Sequence, residues 1–525
     1  MPPPSGFFRA FVVSVLGTGS SRVLGAARDM VIAATLGAGA QSDAFLIAFT
    51  IPNLFRRFVA DEGLTGALIP AIAQSETNDG TAAAHLLANR VFGVLMVVNL
   101  GLCVLGYFGA DVLVWAFASR SAQDPATHQL ASSMTAWMMP FVGMVSAVSL
   151  MEGLLNHRGH FFWPKIAPGL VSAGVIVSAL LFAHRLDEPA WAIVAGVLAG
   201  GVLHVLVNVP TLLRLWGAVW PRLDLHHASP RFFGILNELS KVIGIGIFAQ
   251  INILVLRQLA DAVGTGSITR YWYANRLVDL AQGIIAVAIG SAMLPGLAQS
   301  VAAQDWTRLR EELARALRLA AFLLFPVAMA LITFGEALTA VLFLRGRYTW
   351  LDVQLTAACL AMMVPFMLSV AAINLLKKLF FAFEDRNPLL VIGAVGVALT
   401  AGLGWLLVGD YGISGLAAAL SAATTSQLVL YVVVLSKRHQ TDLGLSALFN
   451  PFARMALATV PMGLALRWMA TLADWDLGAG NPRNLAVVAG GCAVGGLIYA
   501  VAAWLLGVEE LQKVVNKLYG RLKAR

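Results

Sequence analysis

Arginine side chains in apolar surroundings are the residues of this sequence best suited to bind a ligand. Six arginines inside long apolar stretches are hard to place at a helix end: Arg22, Arg28, Arg56, Arg57, Arg257 and Arg276. Arg90, Lys241, Arg454 and Arg467 also lie in such stretches, but they could reach the membrane surface from near helix ends and are assigned no role. A charge at the centre of a bilayer costs about 2.5–3.5 kcal/mol on insertion scales. A guanidinium stays charged at any pH and can give two parallel hydrogen bonds to one phosphate or carboxylate. These arginines therefore indicate a site for an anion inside a membrane.

Helical spacing shows which of the arginines have an acidic residue within reach. Arg22 and Asp29 are seven residues apart, which places them about 20° apart around a helix and allows them to pair. Arg276 has Asp279 three residues later, on the same face of a helix. Both pairs are interpreted as local ion pairs that flank the anion site.

A polar stripe follows in the second apolar stretch, where Asn53, Arg57 and Asp61 repeat at i, i+4 and i+8. This spacing predicts a structural ion pair between Arg57 and Asp61. Arg56 points about 100° away from the stripe and is left to meet a ligand. Two further acidic residues of the region are candidates for the same site: Asp43 and Glu62.

The alternative is that the arginines only hold helices together, as polar side chains do in many membrane bundles. The nearby acidic residues are fewer than the arginines, so a small positive surplus remains. A cation exporter would need the opposite excess. The sequence favours an anionic substrate and leaves structural pairing open.

The chain as a whole has the composition of a membrane protein. Of its 525 residues, 59% are hydrophobic and only 12% are charged, with a mean hydropathy of +0.78. Apolar runs of about 20 residues, the length that crosses a bilayer, recur along the chain. They predict an all-α integral membrane fold with about fourteen spans. The predicted spans are 8–36, 43–73, 86–118, 128–156, 162–183, 189–214, 233–263, 271–301, 313–344, 351–376, 388–409, 412–435, 446–471 and 485–508.

The basic residues predict the orientation of these spans. Most of the 36 Lys and Arg fall on one side of the map or in the C-terminal segment. The opposite loops hold only Arg120, Arg185, Arg270, Arg345, Arg347 and Arg483. Cytoplasmic loops carry the excess of Lys and Arg, so both termini are predicted to be cytoplasmic. The net charge of +8 then needs no nucleic-acid partner, and none is expected.

An internal repeat predicts two lobes of parallel topology. The segment Ala67–Ser75 recurs as Ala292–Ser300, and Arg28 is mirrored upstream by Arg257. We expect an N-terminal lobe of six helices at 1–225, a second at 226–440, two extra helices within 441–508 and a basic amphipathic cytoplasmic tail at 509–525. Transporters built from such repeats bind their substrate between the repeats, near the midplane.

Several functional classes are disfavoured by what the sequence contains. There is no GxxxxGK[ST] phosphate-binding loop, so ATP-driven transport is not expected. No cofactor and no metal site are predicted; His157 and His160 are expected to be solvated in a short loop. Asp474 and Asp476 resemble the acidic pair of a glycosyltransferase, but they stand alone in a short external loop. A membrane-embedded glycosyltransferase therefore remains a lesser alternative to a transporter.

Several motifs, in this order, resemble the MurJ/MviN family of lipid II flippases. They begin with Ser21-Arg-Val-Leu-Gly-Ala-Ala-Arg-Asp29, Leu36-Gly-Ala-Gly39, Ser42-Asp-Ala-Phe45 and Pro52-Asn-Leu-Phe-Arg-Arg57. They continue with Ala60-Asp-Glu-Gly63, Ala67-Leu-Ile-Pro70 and Tyr273-Ala-Asn-Arg-Leu-Val-Asp279. The likeness extends over the full length. It places the chain beside the multidrug/oligosaccharidyl-lipid/polysaccharide exporters.

The resemblance implies a substrate and a site. The substrate would be lipid II, a disaccharide-pentapeptide joined to undecaprenyl by a diphosphate, moved across the bacterial inner membrane for peptidoglycan synthesis by a monomer in the phospholipid bilayer. The matching arginines are Arg22, Arg28, Arg56 and Arg276, and the matching acids are Asp29 and Asp43. Where relatives carry one Glu, this chain has Asp61 and Glu62. The two last helices would hold the polyprenyl tail.

Energy coupling and the exact substrate stay open in the sequence. Some relatives bind sodium through carboxylates and an amide. Asn374 fits the amide here, but Lys378 places a cation one turn later and disfavours a sodium site. Membrane potential is the expected driving force. A flippase for another polyprenyl-diphosphate oligosaccharide, of the O-antigen type, would share the same chemistry.

Overall fold

The described part of the protein is helical throughout. The structure is a computed structural model that describes residues 5–59, 62–224, 230–290, 300, 303, 305–383, 385, 387–438 and 444–513. Side chains at 5–18, 55–59, 62–67, 122, 230, 238–239, 241–245 and 284–290 lie outside the description. No described residue belongs to a β-strand, so the prediction of an all-α fold is confirmed.

The helices follow one another with short connections. The first part of the chain forms α1 (Ser5–Leu36), α2 (Ala40–Val59), α3 (Glu62–Asp79), α4 (Thr81–Phe108), α5 (Ala110–Phe117), α6 (Pro125–Met138), α7 (Pro140–His157), α8 (Phe162–Ile166), α9 (Pro168–Phe182), α10 (Ala190–Trp216) and α11 (Pro230–Val263). The remainder forms α12 (Ser267–Gly290), α13 (Trp306–Thr333), α14 (Gly335–Phe343), α15 (Trp350–Met362), α16 (Val364–Ala382), α17 (Asn387–Arg438), α18 (Phe449–Ala470) and α19 (Pro482–Leu505).

Two compact units make up the chain, Met1–Thr269 and Arg270–Arg525. Within the ranges given above, nine helical segments are long and apolar enough to cross a membrane; one of them, Pro125–His157, covers both α6 and α7. Breaks at proline or glycine divide several predicted spans into two consecutive helices, as Pro140 does between α6 and α7. The total of fourteen spans stays a prediction.

Glycines bring α9 and α10 of the first unit into backbone contact. A Cβ added at Gly174 would lie 2.6 Å from the carbonyl oxygen of Gly196. A Cβ at Gly200 would lie 2.6 Å from the Cα of Val171. Gly196 and Gly200 are four residues apart, the small-residue spacing that lets membrane helices approach closely where no hydrophobic force drives them together. This pair forms a rigid side of the first unit.

A chain segment after α10 is fastened along α4. The main-chain oxygen of Asn89 accepts a hydrogen bond from the amide of Arg222 at 3.0 Å. The side-chain oxygen of the same asparagine accepts one from the amide of Trp220, also at 3.0 Å. A Cβ at Gly93 would lie 2.2 Å from the carbonyl oxygen of Arg222. Only glycine therefore leaves room for the segment on this face of α4.

The C-terminal end of α11 is bound to the turn that follows α5. Asp261 accepts hydrogen bonds from the amides of Arg120 at 2.7 Å and Ser121 at 3.0 Å. Gln258 accepts one from the hydroxyl of Ser119 at 2.8 Å. These contacts explain why the first compact unit continues to Thr269. The lobe boundary at 225/226 concerns sequence duplication, which compactness does not test, and stays a prediction.

In the second unit, α17 turns back on itself. The amide of Gln427 donates to the carbonyl of Ile392 at 3.1 Å, whereas a straight helix would separate these residues by about 52 Å at 1.5 Å per residue. Gly412 has φ 55° and ψ −135°, outside the helical region. The element is thus a hairpin of two helices. Its turn lies where the sequence separates the predicted spans 388–409 and 412–435.

The last two helices pack against each other and against α13. The hydroxyl of Tyr499 in α19 donates to the carbonyl of Phe322 at 3.0 Å, and a Cβ at Gly463 in α18 would lie 2.6 Å from the sulfur of Met329. Beyond α19, Glu509 lies 3.4 Å from Arg318. The predicted tail continues from here, and its residues 514–525 lie outside the described part.

Candidate functional site

Arg28 and Asp29 form a buried ion pair on α1. The Nε and Nη2 atoms of Arg28 donate to one carboxylate oxygen of Asp29 at 3.0 and 2.7 Å. The side chains are only 11% and 2% exposed. The guanidinium carbon also lies 5.9 Å from the ring centre of Phe49 on α2. Within the described residues, the Nη1 atom of Arg28 has no hydrogen bond. This edge of the guanidinium is therefore available to a ligand.

Arg22 lies on the same helix but is exposed. The sequence predicted a pair between Arg22 and Asp29. The structure instead gives the carboxylate of Asp29 the adjacent residue, Arg28, as a partner. Neighbouring residues point about 100° apart on a helix, so this pair forms only because the long arginine side chain folds back along the backbone. Spacing rules do not anticipate such a contact.

Asp43 begins α2 and binds the first residues of α12. One oxygen of its buried carboxylate accepts from the amide of Gly266 at 2.5 Å, and the other accepts from the amide of Thr269 at 2.9 Å. The hydroxyl of Thr269 adds a bond of 2.6 Å. The first amides of a helix have no partner within the helix, and a carboxylate satisfies them well. Asp43 therefore fixes the start of α12 and acts on the site by positioning.

The polar stripe predicted on α2 is described only in part. The side-chain amide of Asn53 donates to the carbonyl of Phe49 at 2.7 Å, one turn earlier. The side chains of Arg56, Arg57 and Glu62 lie outside the described part, as does the whole of Asp61. The predicted pair between Arg57 and Asp61 and the predicted ligand contact of Arg56 stay predictions.

The two arginines of the second repeat lie in different units. Arg257 is on α11 in the first unit and is 5% exposed. Arg276 is on α12 in the second unit, with its Nη1 atom 3.8 Å from Asp279 and its guanidinium 5.8 Å from the ring centre of Trp272. The local pairing of Arg276 with Asp279 is confirmed. The Asn275 amide also donates to Asp279, at 3.2 Å.

A titratable cluster that the sequence analysis did not predict joins the C-terminal ends of α3, α7 and α10. Glu76 binds His157 and Arg158, each at 2.8 Å. The Arg158 guanidinium lies 4.7 Å from the ring centre of Trp216, whose indole donates to the carbonyl of Leu154 at 2.9 Å. The expectation of a solvated His157 is wrong, because its side chain is 14% exposed and paired.

The acid of this cluster titrates abnormally. Glu76 lies beyond the end of the predicted span 43–73. The hydrogen bond from His157, together with the Arg158 charge, lowers the pKa of Glu76 below its ordinary value of 4.5, against the opposing effect of burial. The carboxylate is therefore ionised and holds three helices together at neutral pH.

A second missed pair lies within the predicted spans 128–156 and 189–214. The Nε2 atom of His204 on α10 lies 3.6 Å from the carboxylate of Glu152 on α7. Neither residue was assigned a role in the sequence analysis. A single carboxylate and a single histidine in such runs were the available signal, but sequence does not show that they face each other.

Metal-ligating groups are not concentrated anywhere in the described ranges, which hold no set of three His, Cys, Asp or Glu residues placed to bind an ion. Asn374 and Lys378 lie one turn apart on α16 and are exposed and half-buried. The chemistry within reach of the described residues is charge pairing and anion binding by arginine.

Comparison of the sequence with protein families gives a match over most of the chain. Residues 32–483 match the family model "Lipid II flippase MurJ". The lipid II flippase MurJ of Burkholderia cenocepacia is 30% identical over 511 residues, covering 96% of this chain and 98% of that protein. The probable lipid II flippase MurJ of Bdellovibrio bacteriovorus is 30% identical over 509 residues, covering 95% and 94%.

Solved structures show the same fold. A lipid II flippase MurJ in an inward closed conformation superposes with a TM-score of 0.77 at 18% identity, covering 94% of this chain and 98% of that one. An inward-facing multidrug transporter of the MATE family superposes with a TM-score of 0.66 at 16% identity, covering 79% and 94%. At these identities the likeness concerns the fold alone.

Proposed function

Because this chain belongs to the lipid II flippase MurJ family, we propose that it moves lipid II from the cytoplasmic to the periplasmic leaflet of the bacterial inner membrane. The single observation that carries the proposal is the match to that family over residues 32–483. Relatives that match nearly end to end support it, because the chain shares their complete length rather than one module. The chain is thus a multi-pass membrane protein of bacterial cell-wall synthesis.

The arginines supply the chemistry that such a substrate needs. A diphosphate is negatively charged on both sides of the membrane. It loses its hydration when it enters the membrane, so the protein must supply groups that compensate its charge. Arg28 can bind it through the Nη1 edge while its other two nitrogens stay on Asp29. A charge-assisted, forked contact is about twice as strong as a neutral hydrogen bond. We propose that Arg22, Arg56, Arg257 and Arg276 contribute further contacts during the cycle.

Flipping requires no bond to be made or broken, so the proposed role is transport without catalysis. Alternating access would expose the arginine site first to the cytoplasm and then to the periplasm. We place both termini in the cytoplasm because the basic loops fall on that side. A monomer is sufficient, since one chain carries both sequence repeats.

The driving force proposed for the cycle is membrane potential. An empty site with surplus arginine carries a positive charge, and an interior-negative potential draws that charge toward the cytoplasm. Moving one charge through 100 mV is worth about 2.3 kcal/mol. Binding of the diphosphate neutralises the site and allows it to turn outward. Lys378, one turn from Asn374, argues against a sodium ion in this role.

Replacement of the native flippase tests the proposal directly. Cells depleted of their own lipid II flippase are supplied with this chain, and lipid II reaching the periplasmic face is measured by external labelling. We expect restored labelling and rod shape with the wild-type chain. An Arg28→Ala variant that reaches the membrane in equal amount should restore neither.

The same assay separates the rival substrate. In cells lacking an O-antigen flippase instead, this chain should not restore surface polysaccharide. Restoration there without lipid II externalisation would replace lipid II by another polyprenyl-diphosphate oligosaccharide. Failure in both strains, with normal membrane insertion, would contradict a flippase function altogether.

A further inference from the structure

Two titratable side chains meet inside the first unit without forming a hydrogen bond. The Nε2 atom of His204 lies 3.6 Å from Oε1 of Glu152, just beyond hydrogen-bond length. That nitrogen is buried and has no hydrogen-bond partner among the described residues. The side-chain oxygen of Asn208, one turn further along α10, is also buried and has no hydrogen-bond partner among the described residues. The interior here holds more polar groups than its own contacts satisfy.

Both side chains lie within helices that cross the membrane. Glu152 is on α7 and His204 is on α10, and both helices belong to segments apolar and long enough to span a bilayer. His204 is twelve positions before the end of α10, about 18 Å along the axis, whereas Glu152 is five positions before the end of α7, about 8 Å along the axis. His204 therefore lies near the middle of its helix. Ionisable groups at such depth are costly and usually mark ion or proton pathways.

The exposure of the two side chains differs in a way that suggests a route for protons from the surface of the unit to the buried histidine. The Glu152 side chain is 27% exposed, while that of His204 is 7% exposed. A carboxylate exposed to hydrocarbon would be strongly destabilising, so an ionised Glu152 requires water at its exposed side. Water at that side reaches the carboxylate, and the imidazole lies directly behind it.

We propose that Glu152 and His204 together form a proton-binding site within the membrane-spanning part of the first unit. A proton from cavity water is taken up by Glu152 and passed to Nε2 of His204, which leaves a carboxylate beside an imidazolium. Uptake of this proton changes the pair from a net charge of minus one to zero, and its loss reverses the change. Imidazole is the side chain best suited to such exchange near neutral pH.

Several other charged groups on α7, α10 and the elements packed against them are engaged elsewhere. Glu76 binds His157 and Arg158, Asp43 binds the start of α12, and Arg90 lies 3.4 Å from Asp224. His128 lies 3.4 Å from Asp111, and His85 lies 3.4 Å from the amide of Asn89. Asp79 pairs with Arg231. The remaining titratable or charged residues on α10 and on the packed elements are Arg56, Arg57, Glu62, Cys103, Tyr107, Lys165, His184, Arg185 and Arg214. Among the described side chains, Glu152 is the one charged partner within 4 Å of His204.

A proton at this site goes beyond lipid II transport, because it makes the charge of the first unit depend on pH. The proposed cycle uses the net charge of the carrier, and this pair adds one negative charge or none to it. The consequence is a pH dependence of transport at constant membrane potential.

Histidine NMR in lipid nanodiscs tests the site without any substrate. The full-length protein is labelled with 15N-histidine and titrated from about pH 5 to pH 8, the range in which an imidazole changes charge. Subtraction of His204→Gln spectra isolates the signal of His204, and His204→Asn supplies the same subtraction if the first variant does not fold. We expect His204 to gain a proton as the pH falls through this range in the wild type, and Glu152→Gln to change that response.

Glu188→Gln is the matched control, because Glu188 is exposed and lies in a loop; it should leave the midpoint of His204 in place. A His204 signal that keeps one protonation state throughout the range would overturn the proposal. So would a titration that Glu152→Gln does not change.

A transport measurement provides the second arm. Lipid II movement into proteoliposomes is followed at fixed potential at about pH 6 and about pH 8. The ratio of the two rates should differ from one in the wild type and in His184→Gln, and approach one in Glu152→Gln and His204→Gln. Equal ratios in all four proteins contradict the proton site, whereas absence of lipid II transport in every protein contradicts the proposed function.

Discussion

At the scale of single residues, the arrangement of Arg28 determines what its substitutions measure. Its guanidinium both neutralises Asp29 and presents one free nitrogen edge. Removing the arginine therefore removes a ligand contact and also leaves a carboxylate that is 2% exposed without this partner. A substitution of Arg28 alone therefore mixes the loss of the ligand contact with the loss of the Asp29 pair. A double substitution that also removes Asp29 separates the two effects.

We expect Arg28→Ala to weaken lipid II binding by about tenfold to a hundredfold, since a hydrogen bond to a charged group contributes about 1.5–3 kcal/mol. Arg28→Lys should recover only part of the loss, because a point charge lacks the fork. Binding is measured with purified protein, and Arg185→Ala in an exposed loop is the control. If the double variant Arg28→Ala/Asp29→Ala binds like the wild type, Arg28 serves only to neutralise Asp29.

The cluster around Glu76 gives a pH prediction whose sign is set by its lowered pKa. A carboxyl with a depressed pKa in the folded state stabilises the protein above its ordinary pKa and loses that contribution as the pH falls through the folded value. The thermal midpoint in detergent should therefore be constant above about pH 5 and fall below the ordinary value of 4.5.

The Glu76→Gln variant tests the cause. Its midpoint should be lower than that of the wild type at neutral pH and should fall less steeply in acid, because no proton is taken up at this position. An unchanged slope in the variant would assign the acid sensitivity to another group.

At the scale of helices and turns, Gly93 provides a substitution with a matched control on the same helix. A Cβ at Gly93 collides with the backbone of Arg222 at 2.2 Å, whereas a Cβ at Gly101 meets nothing within 4 Å. Alanine favours a helix over glycine by about 1 kcal/mol at either position. We expect Gly93→Ala to destabilise the protein and to open residues 217–224 to proteolysis, while Gly101→Ala leaves both unchanged or improves stability. If the two variants behave equally, residues 217–224 can move away from α4 without a loss of stability.

The elements also show how far the sequence could predict this protein. Apolar runs predict the helices well, since burial in lipid requires length and composition that a sequence displays directly. The pair of Arg276 and Asp279 was predictable for a related reason, because helical spacing is local. Glu152 and His204 are 52 positions apart, and their contact depends on how α7 and α10 pack. The close approach of Arg222 to Gly93 is equally non-local, and no periodicity in either segment indicates it.

At the scale of the whole molecule, the expected driving force can be tested by separating potential from ions. In proteoliposomes, valinomycin with equal potassium on both sides removes the membrane potential and should stop lipid II transport. Replacement of sodium by choline at unchanged potential should have no effect on the rate. Transport that continues without potential but stops without sodium would require a sodium site despite Lys378.

The extension of the first unit to Thr269 has a consequence for the synthesis of the protein. Membrane proteins enter the bilayer as they leave the ribosome, and their parts fold in order from the N-terminus. Asp43 emerges early, but the amide of Gly266 that binds it is made 223 residues later. Asp261, which binds the turn at Ser121, also arrives 140 residues after that turn. A nascent chain that stops between 225 and 261 thus lacks both the Gly266 amide that binds Asp43 and the Asp261 carboxylate that binds the turn at Ser121. The unit Met1–Thr269 can complete these contacts only after its last residues have been synthesised.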